Sequence, residues 1–584
     1  MSILDKANAD PKYKLNELTR YQALTLFSRH LFGKDSPPEA YKSLSWDVVS
    51  GIKRIPLIVE HIGSAFRQKR EELWKDTFKK LKDDVYNNNL QDLLHITYES
   101  LDHEQQQIFL DIACFFIGSS KQIPTYMWDS CGFLPKRGIE ALIDSSLIGI
   151  DKDDKLIMDD QSRDFGRKIV YLEHQEEFQL HSRLWIYEQA LHVLDNNKTA
   201  TNVKVLNLSS CPFSRTLDLF AFKSLEILIL ENCENLEEIH PSIEDSKSLV
   251  SLNIGGCRRL EKLPIGVGRL EELKELLIND TAIQEIPMSG DGLMKLETLN
   301  ASCCGRLEEL PAGVGRMEKL RELVINDTAI REIPMSKWGL KELHTLNVSG
   351  CRSLEELPIG VEGLEKLREL LINDTAIRKI PIGRHGFREL KTMCASYCEE
   401  LAQLPIPSRS LWLLTKLDLS HSGIEEFPEG IVNLRSLTQL DLSYSWVEKL
   451  PRSFKSLVYL SQLNLSHSGI REFPNFEGYM KWLTHLDLSH TGIEELPKSM
   501  NSLKEVTHLN LSYLGIKRLP QSMEDLVSLQ HLLLRGCYLL RHLLDSIERL
   551  TSLTKLDLQS TRIVELPPEM RNMKNLKILG HSWN

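Results

Sequence analysis

Apolar residues recur at a fixed spacing in the C-terminal half of this chain. Between residues 414 and 534 the segments LTKLDLSHS, LTQLDLSYS, LSQLNLSHS, LTHLDLSHT, VTHLNLSYL and LQHLLLRGC align, with central leucines 23 residues apart. Within each LxL unit the two leucines point to one side of a short strand and the residue between them points to the other. The pattern therefore predicts a series of short strands, each with one apolar and one polar face.

A single strand of this kind cannot bury its apolar face, but strands stacked at about 4.8 Å form a continuous core. A period in the twenties with this pattern predicts a leucine-rich repeat solenoid, a horseshoe of parallel strands. The central positions run from Leu206 to Leu579, which gives about 17 strands in residues 201–584. INDTAI occurs three times at intervals of 47 residues, which indicates duplication of repeat pairs.

Helical spacing characterises the N-terminal part. LTRYQALTLFSRHLF, DSPPEAYKSLSWDVVSGI, RIPLIVEHIGSAF and EELWKDTFKKLKD predict four helices, and Pro56 lies near the start of the third. Beyond residue 86, YESLDHEQQQIFLDIACFFIG predicts further helices, and apolar runs at residues 147–150 and 156–158 predict two short strands. The whole chain is therefore predicted to be α/β, with a helical bundle and a small mixed domain before the solenoid.

Composition excludes several classes of protein. A 584-residue chain that is 42% hydrophobic and 26% charged is typical of folded domains, and a net charge of −11 gives no global footprint for nucleic acid or membranes. No apolar run reaches the roughly 18 residues of a membrane span, and the first residues lack the apolar core of a secretory signal. We therefore expect a cytoplasmic or nuclear location.

Seven of the eleven cysteines lie five residues after the central residue of a repeat. Most other repeats have Ser or Thr there, so this is the inward polar position of the repeat. We predict reduced, buried residues rather than disulfides. The seven are Cys211, Cys233, Cys257, Cys304, Cys351, Cys398 and Cys537.

Three polar columns in the C-terminal repeats are predicted to face the concave side and to form a binding surface. A polar surface with aromatic anchors favours a protein partner. Neighbouring His and Asp side chains leave a metal or pH-sensing site as an alternative. The candidates are Lys416, Asp418, His421, Asp441, Tyr444, His467, His485, Asp487, His490, His508 and Tyr513.

An acidic stripe recurs on every second strand of the middle repeats. It indicates a basic partner surface or contact with the chain's own N-terminal domain, and a merely solvated face is the alternative. The stripe contains Glu275, Asp280, Glu322, Asp327, Glu369 and Asp374.

Several motifs together resemble plant intracellular immune receptors that carry an N-terminal TIR domain, a nucleotide-binding NB-ARC module and leucine-rich repeats. They are YKLNELTRYQALTLFSRHLF with RIPLIVEHIGS, FLDIACFFIG, SRLW at residues 182–185, and returns of the form LPxxIxxL. The resemblance implies that residues 1–85 are the helical part of NB-ARC and residues 86–175 its winged-helix domain. It also implies a linker helix at 176–200 and about 17 repeats at 201–584.

The function implied is that of a disease-resistance receptor. Its repeats would bind a pathogen effector or a guarded host protein on the concave face, and would contact and restrain the NB-ARC module in defence signalling. A repeat scaffold or adaptor without an immune switch is the alternative. A winged helix can also bind DNA, but no Arg-rich or aromatic recognition helix stands out, so no nucleic acid is expected.

The sequence also departs from the family. The phosphate loop GxxxxGK(S/T) and the TIR domain are absent, so the resemblance implies an N-terminally truncated member without ATPase activity. Where the family has a Gly-Leu-Pro-Leu motif that contacts adenine, this chain has Arg54-Ile55-Pro56-Leu57, and Asp159 replaces a phosphate-sensing histidine. A carboxylate repels phosphate. No cofactor is expected, and Pro56 and Asp159 would be the contacts if ADP bound.

Overall fold

The computed structural model describes most of the chain. The described residues are 18–51, 54, 56–67, 90–152, 154–173, 183–184, 187–195, 200, 202–216, 218–290, 292–336, 339–358, 360–383, 387–407, 410–475 and 480–580. The chain divides into two compact units: residues 1–207 with 221–227, and residues 208–220 with 228–584. Within the described ranges, no helix is both long and apolar enough to cross a bilayer.

Three helices open the first unit, as predicted: α1 (Arg20–Phe32), α2 (Lys42–Gly51) and α3 (Pro56–Arg67). A capping box fixes the start of α1, because the Thr19 hydroxyl accepts from the backbone N–H of Gln22 while Gln22 Oε1 accepts from the N–H of Thr19. Phe27 and Phe66 pack edge to face in the core between α1 and α3. The fourth predicted helix, at residues 71–83, lies outside the described residues.

A second group of helices follows, with a small antiparallel sheet. The helices are α4 (Leu90–Glu99), α5 (His103–Asp111), a π-helical turn (Ile112–Phe116), α6 (Gln122–Ser130), α7 (Pro135–Asp144), α8 (Asp160–Glu173) and α9 (Tyr187–Asp195). Strands β1 (Gly149–Ile150) and β2 (Leu156–Ile157) pair antiparallel at the two predicted apolar runs. Farther on, β3 (Arg183–Leu184) pairs in parallel with β4 (Val205–Asn207). The strand β4 was predicted at Leu206, whereas β3 lies in the segment that was predicted as a linker helix.

A buried ion pair ties α5 to β3. Arg183 Nε lies 2.6 Å from Asp111 Oδ1, and the two side chains are only 5% and 9% exposed. Trp128 Nε1 donates to the other oxygen of Asp111 at 2.8 Å, and the Arg183 guanidinium donates to the carbonyl and side-chain oxygens of Gln107. The network therefore joins the FLDIACFF and SRLW segments, which lie 72 residues apart in sequence.

The second unit is a parallel array of short strands. The strands are β5 (Ile227–Ile229), β6 (Ser251–Asn253), β7 (Glu275–Leu277), β8 (Thr298–Asn300), β9 (Glu322–Val324), β10 (Thr345–Asn347), β11 (Glu369–Leu371), β12 (Thr392–Cys394), β13 (Lys416–Asp418), β14 (Gln439–Asp441), β15 (Gln462–Asn464), β16 (His485–Asp487), β17 (His508–Asn510), β18 (His531–Leu533), β19 (Lys555–Asp557) and β20 (Lys577–Leu579). From β6 to β20, consecutive strands pair in register, so that Leu417 lies opposite Leu440 and Leu440 opposite Leu463. The predicted α/β fold with a repeat solenoid is confirmed.

One predicted centre is wrong. The register pairs Leu556 with Ile578, so the last strand centres on Ile578 and not on Leu579. The last two centres are thus 22 residues apart, as are Leu206 and Leu228, whereas the other intervals are 23 or 24 residues.

The inward cysteines are free, as predicted, and they hold neighbouring repeats together. The thiols of Cys304, Cys351 and Cys398 each donate to a backbone carbonyl of the preceding repeat at 3.0–3.1 Å. Their neighbours in the same column are threonines; Thr328, for example, lies 3.2 Å from the Cys351 sulfur. Cys211 is half-buried rather than buried, in contrast to the other six.

Candidate binding surface on the repeats

Each repeat turns at the same point, the fourth residue after its central residue. The backbone there is left-handed, with φ between 53° and 61° at the six positions from Tyr397 to Tyr513. Left-handed backbone costs a non-glycine residue about 1–2 kcal/mol, so a compensating contact is expected. We call these positions the turn column: Ser210, Asn232, Gly256, Asp280, Cys303, Asp327, Gly350, Asp374, Tyr397, His421, Tyr444, His467, His490, Tyr513, Gly536 and Ser560.

Six successive rings of the turn column form one continuous stack. Neighbouring centroids lie 4.0–4.2 Å apart and the planes differ by 7–19°. Such pairs contribute about 0.5–1.5 kcal/mol each beyond their burial, which offsets the backbone cost. The predicted residues His421, Tyr444, His467, His490 and Tyr513 all belong to the stack. Tyr397 was missed, although its position after Met393 identifies it.

The aspartates of the predicted surface have a structural role. Oδ1 of Asp418, Asp441 and Asp487 accepts from both the backbone N–H and the hydroxyl of the serine two residues on. Asn464 and Asn510 donate to the second oxygens of Asp441 and Asp487. These carboxylates therefore brace the strand ends, and less of their hydrogen-bonding capacity is left for a partner.

The first residues of the strands form a second column, from Lys416 on β13 to His531 on β18. His485 and His508 stack at 4.4 Å, and His508 meets His531 edge to face at 4.3 Å. Burial lowers the pKa of His508, and the neighbouring imidazoles lower it further. Burial also lowers the pKa of His467 in the ring stack, with His490 contributing. Among the described residues, no group of three His, Cys, Asp or Glu side chains is arranged to hold a metal ion.

The acidic stripe of the middle repeats is partly neutralised. Asp374 forms a 2.7 Å ion pair with Arg352, and Asp327 accepts from the side chain of Asn326. Glu322 and Glu369 begin β9 and β11, with the Thr345 strand between them. Burial raises the pKa of Glu322, and the charge of Glu369 adds to the effect.

Glu275, at the start of β7, is the most perturbed carboxyl of the stripe. Burial raises its pKa to about 7 and repulsion from Glu322 contributes, whereas a 2.5 Å hydrogen bond from the Ser251 hydroxyl opposes the rise. The folded pKa lies above the unfolded value of about 4.3, so the folded state loses stability as pH rises through 7.

Replacing Glu275 by glutamine is therefore expected to stabilise the repeats at pH 8, by up to about 3 kcal/mol, and to have little effect at pH 4.5. Glutamine keeps the acceptor for Ser251 but carries no charge. Thermal unfolding at the two pH values tests this, with Glu309→Gln, an exposed glutamate outside the stripe, as the matched control. An equal gain at both pH values would mean that the charge of Glu275 is not the cause.

Both predicted nucleotide contacts, Pro56 and Asp159, lie in the first unit. Pro56 is the exposed first residue of α3, and just before it Arg54 exchanges hydrogen bonds with the backbone of Leu18. Asp159 caps α8, because its carboxylate accepts from the backbone N–H groups of Gln161 and Ser162 and from the Ser162 hydroxyl. An ionised carboxylate only accepts hydrogen bonds, whereas the phosphate of ADP needs a hydrogen-bond donor. The Asp159 side chain therefore does not suit contact with an ADP phosphate.

Three protein families match parts of the chain. Residues 102–173 match the winged-helix domain described as "Disease resistance protein Roq1-like". Residues 202–327 match a leucine-rich repeat region, and residues 413–470 and 481–539 match the leucine rich repeat family.

Similar curated proteins are plant disease resistance proteins. TMV resistance protein N of Nicotiana glutinosa is 33% identical over 205 residues, which cover 35% of this chain and 18% of that protein. Disease resistance protein RUN1 of Vitis rotundifolia is 26% identical over 297 residues, which cover 50% of this chain and 22% of that protein. The chain thus spans about a fifth of the length of the curated relatives it matches.

Solved structures similar to the chain are repeat proteins. A leucine-rich-repeat protein of Leptospira interrogans has a TM-score of 0.48 at 21% identity, and the match covers 68% of this chain and 99% of that one. The family matches and the curated relatives support the resemblance to plant nucleotide-binding, leucine-rich-repeat receptors.

Proposed function

We propose that this chain, which carries the winged-helix domain and leucine-rich repeats of plant disease resistance receptors, acts in immune recognition. Its repeats bind a protein, either a pathogen effector or a host protein that an effector modifies. The binding surface is the outward face of strands β13–β18 together with the ring stack of the turn column. As in the family, the repeats would also restrain the NB-ARC part.

The ring stack is the observation that carries this proposal. It presents a continuous edge of imidazole and phenol groups, in which Tyr444 and Tyr513 remain substantially exposed. Stacking fixes the rings before any partner arrives, so little side-chain entropy is lost on binding. Tyrosine is also a favoured anchor at protein interfaces. The middle carboxylates, Glu322 and Glu369 among them, extend the surface for a partner with basic groups.

Co-precipitation of the tagged full chain from pathogen-challenged and mock-treated leaf tissue tests the proposal. Lys416→Glu and Tyr444→Ala each change the proposed surface, whereas Lys498→Glu makes the same charge change on a return segment. We expect a protein that the natural chain and the Lys498 variant recover, and that both surface variants recover at least tenfold less. If every recovered protein binds all four chains equally, the strand face is not the binding surface.

A repeat scaffold without nucleotide control is the second candidate function. The engagement of Asp159 as a helix cap favours it, since this residue replaces the family's phosphate-sensing histidine. A scaffold should recover the same surface-dependent partner from mock-treated and challenged tissue. A partner that is recovered only after challenge favours the receptor.

A further inference from the structure

The third and fourth residues before each strand change character along the array. In the middle repeats they carry charged side chains that pair across neighbouring repeats. Lys295 pairs with Glu272 and Lys366 with Glu342, each at 2.6 Å, and Arg388 lies 3.9 Å from Glu365. These pairs leave the edge of the middle repeats polar and electrically balanced.

From β13 to β16 the residues at the same two positions are apolar or basic, with the exception of Ser436. They place five large apolar side chains on the surface, with exposed fractions of 41–61%. Two cations lie among them, Arg435 and Lys481, and neither forms an ion pair within the part of the chain that the structure describes. We call this set the edge strip: Trp412, Leu413, Arg435, Val458, Tyr459, Lys481 and Trp482.

An exposed apolar group of this kind marks an interaction site. Trp, Tyr and Arg are also the residues that contribute most often to binding energy at interfaces. The contrast with the balanced middle repeats shows that a polar edge is compatible with this fold, so packing alone does not require the apolar residues of the strip.

The spacing of the strip restricts what can lie on it. Strands stack at about 4.8 Å, so Leu413 and Tyr459, two repeats apart, are separated by about 10 Å, and Tyr459 and Trp482 by about 5 Å. A helix rises about 1.5 Å per residue, so its positions i, i+7 and i+11 reproduce both intervals on one face. In an extended peptide about 10 Å corresponds to three residues, which places the two side chains on opposite faces.

We propose that the edge strip binds an acidic amphipathic helix of a partner protein. The apolar ridge of the helix would lie along Leu413, Tyr459 and Trp482, and its flanking carboxylates would meet Arg435 and Lys481. This surface is separate from the outward strand face and does not depend on the function proposed above. It gives the repeats a second point of attachment.

A labelled synthetic helix tests the proposal by fluorescence anisotropy with the full chain. The peptide carries leucines at i, i+3, i+4, i+7 and i+11 and glutamates on the flanks. One control peptide has the same composition with the leucines out of phase, and a second has lysines in place of the glutamates. Phosphatidylserine vesicles serve as the competing anionic surface.

We expect saturable binding of the acidic helix, and at least tenfold weaker binding by a Tyr459→Ser, Trp482→Ser double variant. Arg435→Glu should also weaken it, but not the binding of the lysine peptide. Trp446→Ser is the matched control, because Trp446 is 71% exposed beyond the C-terminal end of its strand; binding should stay within twofold. The proposal is overturned if the acidic helix does not bind, if the out-of-phase peptide binds equally, or if only vesicles bind through the strip.

Discussion

Replacing Asp111 by alanine is expected to lower the free energy of unfolding of the N-terminal unit by about 3–5 kcal/mol. The substitution leaves the Arg183 guanidinium, which is almost fully buried, without its counter-charge. It also removes the acceptor of the Trp128 indole N–H. An uncompensated buried charge costs far more than the net contribution of the pair, and this explains the size of the effect.

Hydrogen exchange of the full chain, followed in the peptides around α5 and β3, measures this loss without assuming a single unfolding step for two units. Asp164→Ala is the matched control, because Asp164 is exposed and its partner Arg163 also pairs with Asp160, and we expect a change of less than about 1 kcal/mol. An Asp111→Leu, Arg183→Met double variant should recover most of the stability. If it is as unstable as Asp111→Ala, the unpaired charge is not responsible, and lost packing or the unpaired Trp128 N–H accounts for the effect.

Replacing Gly292 by alanine is expected to destabilise the middle repeats by about 3 kcal/mol, the upper end of the range for overpacking. A Cβ atom at this position would collide with the backbone carbonyl of Gly268 in the preceding repeat. Backbone cannot swing aside as a long side chain can, so two neighbouring repeats must separate. The same close approach recurs 47 residues later between Gly339 and Gly315.

Thermal unfolding of the full chain, with Gly305→Ala as the control, tests the contact. No heavy atom lies within 4 Å of a Cβ placed on Gly305, and its backbone is not left-handed, so alanine there should be neutral or stabilising by up to about 1 kcal/mol. Equal effects of the two alanines would indicate a general loss of glycine flexibility and not a collision at Gly292.

The recurring leucine pattern, with centres 22 to 24 residues apart, was sufficient to predict the repeat strands, because each needs its leucines buried at the same position. It was wrong only at the last repeat, where Ile578 takes the central place. The ring stack was predicted as a column of His and Tyr. That the rings lie face to face depends on the left-handed turn, which a pattern of apolar residues does not report. Tyr397 was missed, although it lies four residues after Met393 as His421 lies four residues after Leu417.

Other properties of the candidate site depend on contacts that the sequence does not specify. Asp441 and Asp487 were predicted as surface groups, but their oxygens accept from serine and asparagine side chains on the same and the next strand. Asp159 was compared with a phosphate-sensing histidine, whereas the structure uses it to cap a helix. The edge strip was not identified at all, because single exposed aromatic residues are common and only their alignment across repeats is informative.

Glutamate and threonine alternate at the first position of the strands in the middle repeats. This alternation restricts which repeats can be gained or lost by recombination without placing two glutamates on adjacent strands. Glu275, Glu322 and Glu369 each have a threonine strand on the C-terminal side, at Thr298, Thr345 and Thr392. Exchange in steps of two repeats preserves that order. Loss of the Thr298 or the Thr345 repeat alone would put two glutamates on adjacent strands, where like charges destabilise the pairing. Length variants that lack one of these threonine repeats should therefore be less stable than variants that lack a glutamate and threonine pair.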